Sequence, residues 1–232
     1  MKIVALGGGT VDESSVIDRF IVEYSGKERP RFLFLPTASG DSGHYINSVK
    51  RSYKHLGCSA DALCLVRAEY SPDELERRVE AADIIYVGGG DTLRMFSVWE
   101  RTGMIPLLRR AAERGAVMCG VSAGAMCWFS QGYSDCDFHR SDVENPTFRL
   151  IDGFGFIPAV CCPHYDEEGR DAFDRNCTDH ALPGIALENG VALVKNGTEY
   201  SVIRNEESKR AWLFTHSGNA IKKSELTTHF QL

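Results

Sequence analysis

The residue best suited to chemistry is Ser122, at the centre of the pentapeptide Gly120-Val121-Ser122-Ala123-Gly124. An apolar run at 115–119 predicts a buried strand before it, and the run at 125–129 predicts a helix after it. Glycines on both sides allow a sharp strand-to-helix turn from which the serine hydroxyl projects. The pattern therefore predicts a nucleophilic serine. The alternative is a serine that only occupies a tight turn.

A serine hydroxyl is a weak nucleophile until a base removes its proton, and the sequence offers seven histidines for this role. His164 is the best placed, because it follows the apolar run Val160-Cys161-Cys162-Pro163 and so lies at the carboxyl end of a predicted strand. Ligands of α/β sheets bind at that edge, where Ser122 is also expected. The main competitor is His139, in a polar loop, whereas His55 falls within a helical pattern.

A catalytic histidine needs a partner that fixes its tautomer and stabilises its protonated form. Glu188 follows the short apolar run 184–187, which predicts a strand that brings the carboxylate to the same edge. Asp135 and Asp137, in the polar loop after the serine, are the alternatives. The ranking is Glu188, then Asp135, then Asp137, and the general alternative is that each is a solvated surface charge.

Glycine-rich segments follow the first and fourth predicted strands. In Gly88-Gly89-Gly90-Asp91-Thr92 the lack of side chains lets the backbone approach a ligand closely. The N–H groups of Gly90 and Ala123 are predicted to bind the oxyanion of a reacting carbonyl. Gly7-Gly8-Gly9-Thr10 has the same form. A phosphate cradle is the alternative, but both segments lack the Lys-Ser/Thr of a P-loop and the spaced third glycine of a dinucleotide fingerprint.

Arg170 follows His164 by six residues and is a candidate for binding a substrate carboxylate through two parallel N–H groups. It also stands among the acidic residues of the segment 166–171, whose charge it would balance. The sequence leaves both roles open.

Short apolar runs alternate with amphipathic segments, a pattern typical of a mostly parallel sheet with helices on both faces. The predicted strands are Lys2–Leu6, Arg31–Leu35, Ser59–Leu65, Asp83–Val87 and Ala116–Gly120. The predicted helices are Val16–Ser25, Tyr45–Leu56, Pro72–Ala81, Thr92–Glu100 and Ile105–Arg114, with Ser71 and Asp91 as N-caps.

The C-terminal part predicts antiparallel structure. Asn196-Gly197-Thr198 separates two apolar runs and is typical of a hairpin, and residues 210–215 predict a further strand. We expect these strands to extend the same sheet. The prediction is therefore one α/β domain over residues 1–232.

The composition narrows the classes of function. The formal charge of −6 and the scattered Lys and Arg residues argue against nucleic acid as a partner. No apolar run approaches membrane-spanning length, and the N-terminal run is too short for a signal peptide, so we predict no membrane partner and a cytoplasmic location. The eight cysteines form no C-x-x-C pair, so we predict reduced thiols and no metal.

Three ordered motifs resemble those of the peptidase E family of serine peptidases, which includes aspartyl dipeptidases and cyanophycinases. They are Val87-Gly88-Gly89-Gly90-Asp91-Thr92, Gly120-Val121-Ser122-Ala123-Gly124-Ala125 and Pro163-His164, with Pro36-Thr37-Ala38 after the second strand. The resemblance implies the fold of class I glutamine amidotransferases, a flavodoxin-like sheet, with serine in place of their cysteine. It implies no metal or organic cofactor. The implied roles are nucleophile for Ser122, general base for His164, acid for Glu188 or Asp135, and oxyanion hole for Gly90 and Ala123.

The implied activity is hydrolysis of small peptides through an acyl-enzyme on Ser122, with a homodimer as one possible assembly. In aspartyl dipeptidases a longer segment after the Pro-His pair holds the arginine that recognises an N-terminal aspartate. Here only residues 165–169 separate His164 from Arg170, so the sequence supports a peptidase better than Asp-X specificity. The alternatives are an amidase or amidotransferase-like hydrolase and a non-catalytic peptide or metabolite sensor.

Overall fold

The described part of the chain is organised by two β-sheets. The computed structural model describes residues 1–10, 15–139, 143–144, 147–176, 182–217, 220–227 and 229–231. Within these ranges the strands of the first sheet are β1 (Lys2–Leu6), β2 (Arg31–Leu35), β3 (Ser59–Ala62), β4 (Ile84–Val87), β5 (Val117–Val121), β10 (Val191–Asn196), β11 (Glu199–Arg204) and β14 (His229–Phe230). Their order is β14-β11-β10-β1-β5-β4-β2-β3. The five strands β1 to β5 form the parallel part of this sheet.

The helices follow the predicted pattern. They are α1 (Ser15–Tyr24), α2 (Gly43–His55), α3 (Pro72–Ala81), α4 (Thr92–Thr102), α5 (Met104–Glu113), α6 (Ala123–Met126) and α7 (Phe173–Asn176). Both predicted N-caps are confirmed, since the side chain of Ser71 accepts from Glu74 N at 3.2 Å and that of Asp91 from Arg94 N at 3.0 Å. No helix in the described ranges combines the length and apolar character needed to cross a membrane.

The first sheet is covered on both faces, as predicted. Alternate residues of each central strand point to opposite faces, so in β1 Ile3 packs in one core and Val4 in the other. The first core includes buried residues of α3, α4 and α5, and the second includes Ile17 of α1 and Tyr53 of α2. Burial on both faces explains why these strands read as continuous apolar runs.

A second sheet lies beside the first and was not predicted. Its strands are β6 (Phe129–Ser134), β7 (Arg149–Asp152), β8 (Ile157–Cys162), β9 (Gly184–Leu187), β12 (Ala211–Ser217) and β13 (Ala220–Glu225), in the order β13-β12-β9-β8-β6-β7. Strands β10 and β11 form the predicted hairpin and extend the first sheet antiparallel to β1. The strand predicted at 210–215 instead pairs with β9. Apolar runs predict strands but not their partners, so this pairing was missed.

The helix predicted at 125–129 is also wrong in its extent. Helix α6 ends at Met126, and Phe129 already belongs to β6. Every residue from Ala123 to Phe129 is buried, so the apolar run carries no periodicity that could separate helix from strand.

The carboxyl ends of five strands bring the candidate residues together. Strands β4, β5 and β1 are neighbours in the first sheet, and Gly88, Ser122 and Gly7 directly follow them. His164 follows β8 after Pro163, and β9 leads into Glu188. The edge expected from the sequence thus has contributions from both sheets.

Candidate active site

Ser122 occupies a strained turn between β5 and α6. Its φ of 57° and ψ of −117° are unusual for a residue with a side chain. Its N–H donates to Leu6 O at 3.1 Å, and its carbonyl accepts from Ala125 N and Met126 N, both at 2.9 Å. These bonds tie the turn to β1 on one side and to α6 on the other, as expected for a nucleophile elbow.

The flanking glycines are required by packing as well as by the turn. A Cβ on Gly120 would lie 2.4 Å from Gly124 O, and one on Gly124 would lie 2.1 Å from Val87 O. Both distances are shorter than any real contact of a Cβ. The pentapeptide and the end of β4 therefore fit together only when both positions lack a side chain.

The glycine segment after β4 lies against the serine. A Cβ on Gly89 would be 3.2 Å from Ser122 Cβ, and Gly90 has a φ of 133° with Ala38 O only 2.5 Å from where its Cβ would be. Among the described residues the N–H groups of Gly90 and Ala123 have no hydrogen-bond acceptor. Both remain available to a ligand beside Ser122.

His164 follows β8 and is joined to the same strand as the serine. Its N–H donates to Gly7 O at 3.0 Å, next to the Leu6 carbonyl that binds Ser122. Its ring Nδ1 lies 2.8 Å from Asn189 Oδ1 and 3.0 Å from Glu167 Oε1. No hydrogen bond joins the His164 ring to Ser122 in the described structure, and Nε2 has no partner there.

The two residues that contact the His164 ring, Asn189 and Glu167, were not singled out from the sequence. Asn189 immediately follows Glu188. The Asn189 N–H donates to Asp166 Oδ1 at 2.8 Å, and its Nδ2 donates to Glu167 Oε1 at 3.0 Å. Asp166 is paired with Lys209 at 2.8 Å. Burial opposes ionisation of Asp166, but hydrogen bonds from Lys209 and the Asn189 N–H outweigh it and lower the pKa of the carboxyl.

The structure does not place either leading acid candidate beside His164. Glu188 accepts from Arg210 N at 2.9 Å and from Trp212 Nε1 at 3.4 Å. Asp135 accepts from Arg170 at 2.8 Å. Within the described residues neither carboxylate hydrogen bonds with the His164 ring.

Of the remaining candidates, the structure describes the side chains of Asp137 and His55. Asp137 is buried and 3.3 Å from Arg149. His55 is the exposed last residue of α2, and the side chain of His139 lies outside the described residues.

Arg170 has an internal role in this structure. The residue is only 3% exposed. Its guanidinium donates to Tyr133 O at 3.0 Å and to Asp135 at 2.8 Å, and lies 4.7 Å from the centre of the Phe148 ring. Its ionic partner in the described structure is Asp135, which lies outside the acidic segment 166–171 whose charge it was expected to balance.

The cysteines nearest the serine in sequence are not poised as nucleophiles. Cys119 and Cys127 are buried, and this burial raises the pKa of both thiols well above the usual range. Since the thiolate is the reactive form, neither competes with the Ser122 hydroxyl.

A polar cavity of about 530 Å³ adjoins His164. His164 lines the cavity and Ser122 does not. The lining residues are Gly9, Thr10, His164, Asp166, Glu167, Asn189, Gly190, Asn205, Glu206 and Lys209.

The fold matches that of a solved peptidase structure. The solved structure of a peptidase from an acI-B1 Actinobacterium matches 100% of this chain and 96% of its own with a TM-score of 0.75 and 20% sequence identity. The chain therefore has the fold of that peptidase.

The sequence comparisons name the family. The profile of peptidase family S51 matches residues 3–203. The chain is 35% identical over 198 residues to the uncharacterized peptidase YgaJ of Bacillus subtilis, covering 83% of this chain and 82% of that protein. It is 31% identical over 165 residues to peptidase E of Streptomyces coelicolor, covering 71% of this chain and 63% of that protein. The chain belongs to peptidase family S51 and is a peptidase, which confirms the resemblance to peptidase E.

Proposed function

We propose that this peptidase hydrolyses small peptides through an acyl-enzyme on Ser122. The observation that carries the proposal is the strained backbone of Ser122, with φ of 57°, at a turn against which Gly89 packs. Strain of this kind persists only where the surrounding structure enforces it, and it is concentrated at functional sites. The nearby N–H groups of Gly90 and Ala123 fit the same role.

In the proposed reaction the Ser122 oxygen attacks the carbonyl carbon of the peptide bond while His164 Nε2 takes the hydroxyl proton. The N–H groups of Gly90 and Ala123 donate to the oxyanion that forms. His164 then gives its proton to the leaving amine as the carbon–nitrogen bond breaks. Water, activated by His164, hydrolyses the resulting ester and restores the serine.

The substrate class is argued from the cavity and from Arg170. A cavity of about 530 Å³ beside the base is of a size that holds a small molecule such as a short peptide. Arg170 does not line it, and its guanidinium donates to Tyr133 O and Asp135. We therefore propose small peptides in general, without a preference for Asp-X dipeptides through Arg170.

The test is hydrolysis of a dipeptide library by purified protein, with release of free amine as the readout. Ser122→Ala should lower turnover on the order of 10⁴-fold or more, because attack by the hydroxyl is lost. Ser130→Ala is the matched control, since the hydroxyl of Ser130 donates to Ile157 O at 3.4 Å, and it should leave turnover unchanged. Undiminished hydrolysis by Ser122→Ala would contradict the proposal.

A further inference from the structure

The reacting groups of the proposed site come from two different sheets. Ser122 and the glycine segment 88–90 follow strands of the first sheet, whereas His164 follows β8 of the second sheet. Catalysis needs the oxyanion N–H groups and the base at a fixed spacing, because a displacement of about 1 Å can lower the rate about 100-fold. Side chains that join the two sheets beside the site are therefore candidates for positioning residues.

Main-chain acceptors hold segment 88–91 within the first sheet. The N–H of Gly88 donates to Leu35 O at 3.0 Å, and the N–H of Asp91 donates to Ala38 O at 2.9 Å. The N–H of Gly90, between these two, has no acceptor among the described residues. These bonds fix the segment relative to β2 and the turn after it. They do not connect it to the sheet that carries His164.

Thr92 makes this connection. It is the first residue of α4, and its hydroxyl shares a hydrogen bond of 3.2 Å with the hydroxyl of Ser134. Thr92 is 2% exposed and Ser134 is 0% exposed. The N-cap of α4 is Asp91, whose side chain accepts from Arg94 N, so the helix does not use the Thr92 hydroxyl as its cap.

Ser134 lies at the end of β6, beside the strand that leads to His164. Strands β6 and β8 are parallel neighbours, with Gly132 paired to Cys161. Strand β6 ends at Ser134, and β8 ends two residues before His164. The carboxyl ends of β6 and β8 therefore lie side by side. The bond between Thr92 and Ser134 joins the oxyanion segment to the second sheet close to the base.

The surroundings of Ser134 fix its side chain as an anchor. Its Oγ accepts from Cys136 N at 3.2 Å, and a hydroxyl can accept and donate at the same time. The Ser134 hydroxyl is thus held by the turn after its own strand as well as by Thr92. Buried polar groups are almost always hydrogen-bonded, so each hydroxyl needs the other in this interior position.

We propose that Thr92 and Ser134 are positioning residues that hold the oxyanion N–H of Gly90 at a fixed place relative to His164. This inference rests on the proposed function. Both side chains are buried, so they act through the start of α4, which follows Gly90 by two residues, and not through contact with substrate.

The first test removes one hydroxyl and keeps the shape of the side chain. Thr92→Val should lower kcat on the order of 10-fold, less than the loss of about 100-fold or more that follows removal of an oxyanion donor. KM should change little, because the bonds to the oxyanion form in the transition state. Thr92→Ser keeps the hydroxyl and should keep most of kcat. The matched control is Thr102→Val in the same helix, where the hydroxyl donates to Val98 O at 2.8 Å, and it should leave kcat unchanged.

The second test asks whether the two hydroxyls act as a pair. Ser134→Ala should lower kcat as Thr92→Val does, and the double variant should lose no more than Ser134→Ala alone. Losses that multiply in the double variant would overturn the proposal, as would full kcat in both single variants. Circular dichroism checks that each variant is folded. If Thr92→Val does not fold, Ser134→Ala carries the test against Thr102→Val.

A dipeptide with sulfur in place of the scissile carbonyl oxygen separates oxyanion positioning from a general loss of structure. Sulfur is larger than oxygen and a weaker acceptor, so a well-placed oxyanion hole favours the oxygen substrate. We expect the ratio of kcat/KM for the oxygen and sulfur substrates to fall about 10-fold in Thr92→Val and to stay unchanged in Thr102→Val.

The same ratio keeps this inference separable from the proposed function. If turnover depends on Ser122 but Thr92→Val keeps the wild-type ratio, this inference alone is overturned, even where kcat falls, because the role is then merely structural. If turnover does not depend on Ser122, the proposed function itself has failed, and this inference fails with it.

Discussion

The nucleophile and the base of this site are held in two different ways. Around Ser122 the neighbours are backbone atoms, because glycines at 89, 120 and 124 bring main chain into direct contact. The backbone of His164 is also held, by the hydrogen bond to Gly7 O and with a φ of 53°. The partners of its ring, however, are polar side chains, and that of Glu167 is 54% exposed. The nucleophile is positioned by steric fit of the main chain, whereas the ring of the base is oriented by side-chain hydrogen bonds that a substitution can exchange.

We call the surroundings of Ser122 the nucleophile half of the site and the surroundings of the His164 ring the base half. The two halves should respond differently to substitution. A closely packed backbone cannot accommodate an added methyl group unless a strand moves, so the substitution lowers the free energy of unfolding. Side chains can rotate, so a disturbance at the base should leave the fold intact and appear as lost activity. The same substitution, glycine to alanine, can be made in both halves.

The largest effect is expected from Gly124→Ala. The new methyl group would lie 2.1 Å from Val87 O and 2.6 Å from Val87 C, which belong to the main chain of β4. We expect the free energy of unfolding to fall by about 4 kcal/mol or more. Urea denaturation measures this.

Gly57→Ala is the matched control for Gly124→Ala. Gly57 has a φ of 89° but nothing within 4 Å of its Cβ position, so only backbone strain of about 1–2 kcal/mol is expected. Equal losses in the two variants would contradict the steric account.

Gly8→Ala makes the same change in the base half. Its methyl group would meet Asn189 Oδ1 and His164 Nδ1, both on side chains that can turn away. We expect kcat to fall about 100-fold, as for a misplaced base, with unfolding free energy within about 1 kcal/mol of the wild type. Steady-state kinetics and urea denaturation test both halves of this prediction. If Gly8→Ala instead lowers the free energy of unfolding as much as Gly124→Ala does, and kcat of the folded protein is unchanged, the two halves do not differ.

Asp135→Asn distinguishes a structural acid from a catalytic one. The substitution removes the charge opposite the buried Arg170 guanidinium, whose side chain is 4% exposed. We expect a loss of about 1–3 kcal/mol in stability, with kcat of the folded protein unchanged. Thermal unfolding and kinetics on the same preparation measure both. A fall in kcat at unchanged stability would contradict this account and indicate that Asp135 is the catalytic acid.

The smallest expected effect concerns Asp18, a buried carboxylate outside both halves. Burial raises its pKa from 3.8 to about 7, although a hydrogen bond from Tyr53 at 2.7 Å partly offsets this. The folded state therefore keeps a proton that the unfolded chain has already released, and stability falls as pH rises toward and through 7. From pH 6 to pH 8 the wild type should lose about 1.4 kcal/mol.

Asp18→Asn should remove this dependence, because the amide does not titrate and can still accept from Tyr53. Urea denaturation at several pH values measures the pH dependence of the free energy of unfolding. This measurement also separates the effect of pH on stability from the effect of pH on turnover. An unchanged slope in Asp18→Asn would assign the dependence to other groups.

The same contrast explains what the sequence could predict. The strand before Ser122, the glycines around it and the strand before His164 are local patterns, and the structure has each of them. The partner of His164 depends on the pairing of β9 with β8 and β12 in a sheet that local patterns did not predict. That pairing presents Asn189 and not Glu188 to the ring. Glu167, in an acidic surface segment, carried no signal that would distinguish it from its neighbours.

Covalent trapping tests the central claim most directly. Purified protein is treated with a fluorophosphonate probe, and the labelled peptide is identified by mass spectrometry. We predict one adduct, on Ser122, whose formation is greatly slowed in His164→Ala although the protein remains folded. Peptide hydrolysis by a preparation that forms no adduct on Ser122, or forms it on another residue, would contradict the assignment of Ser122 as the nucleophile.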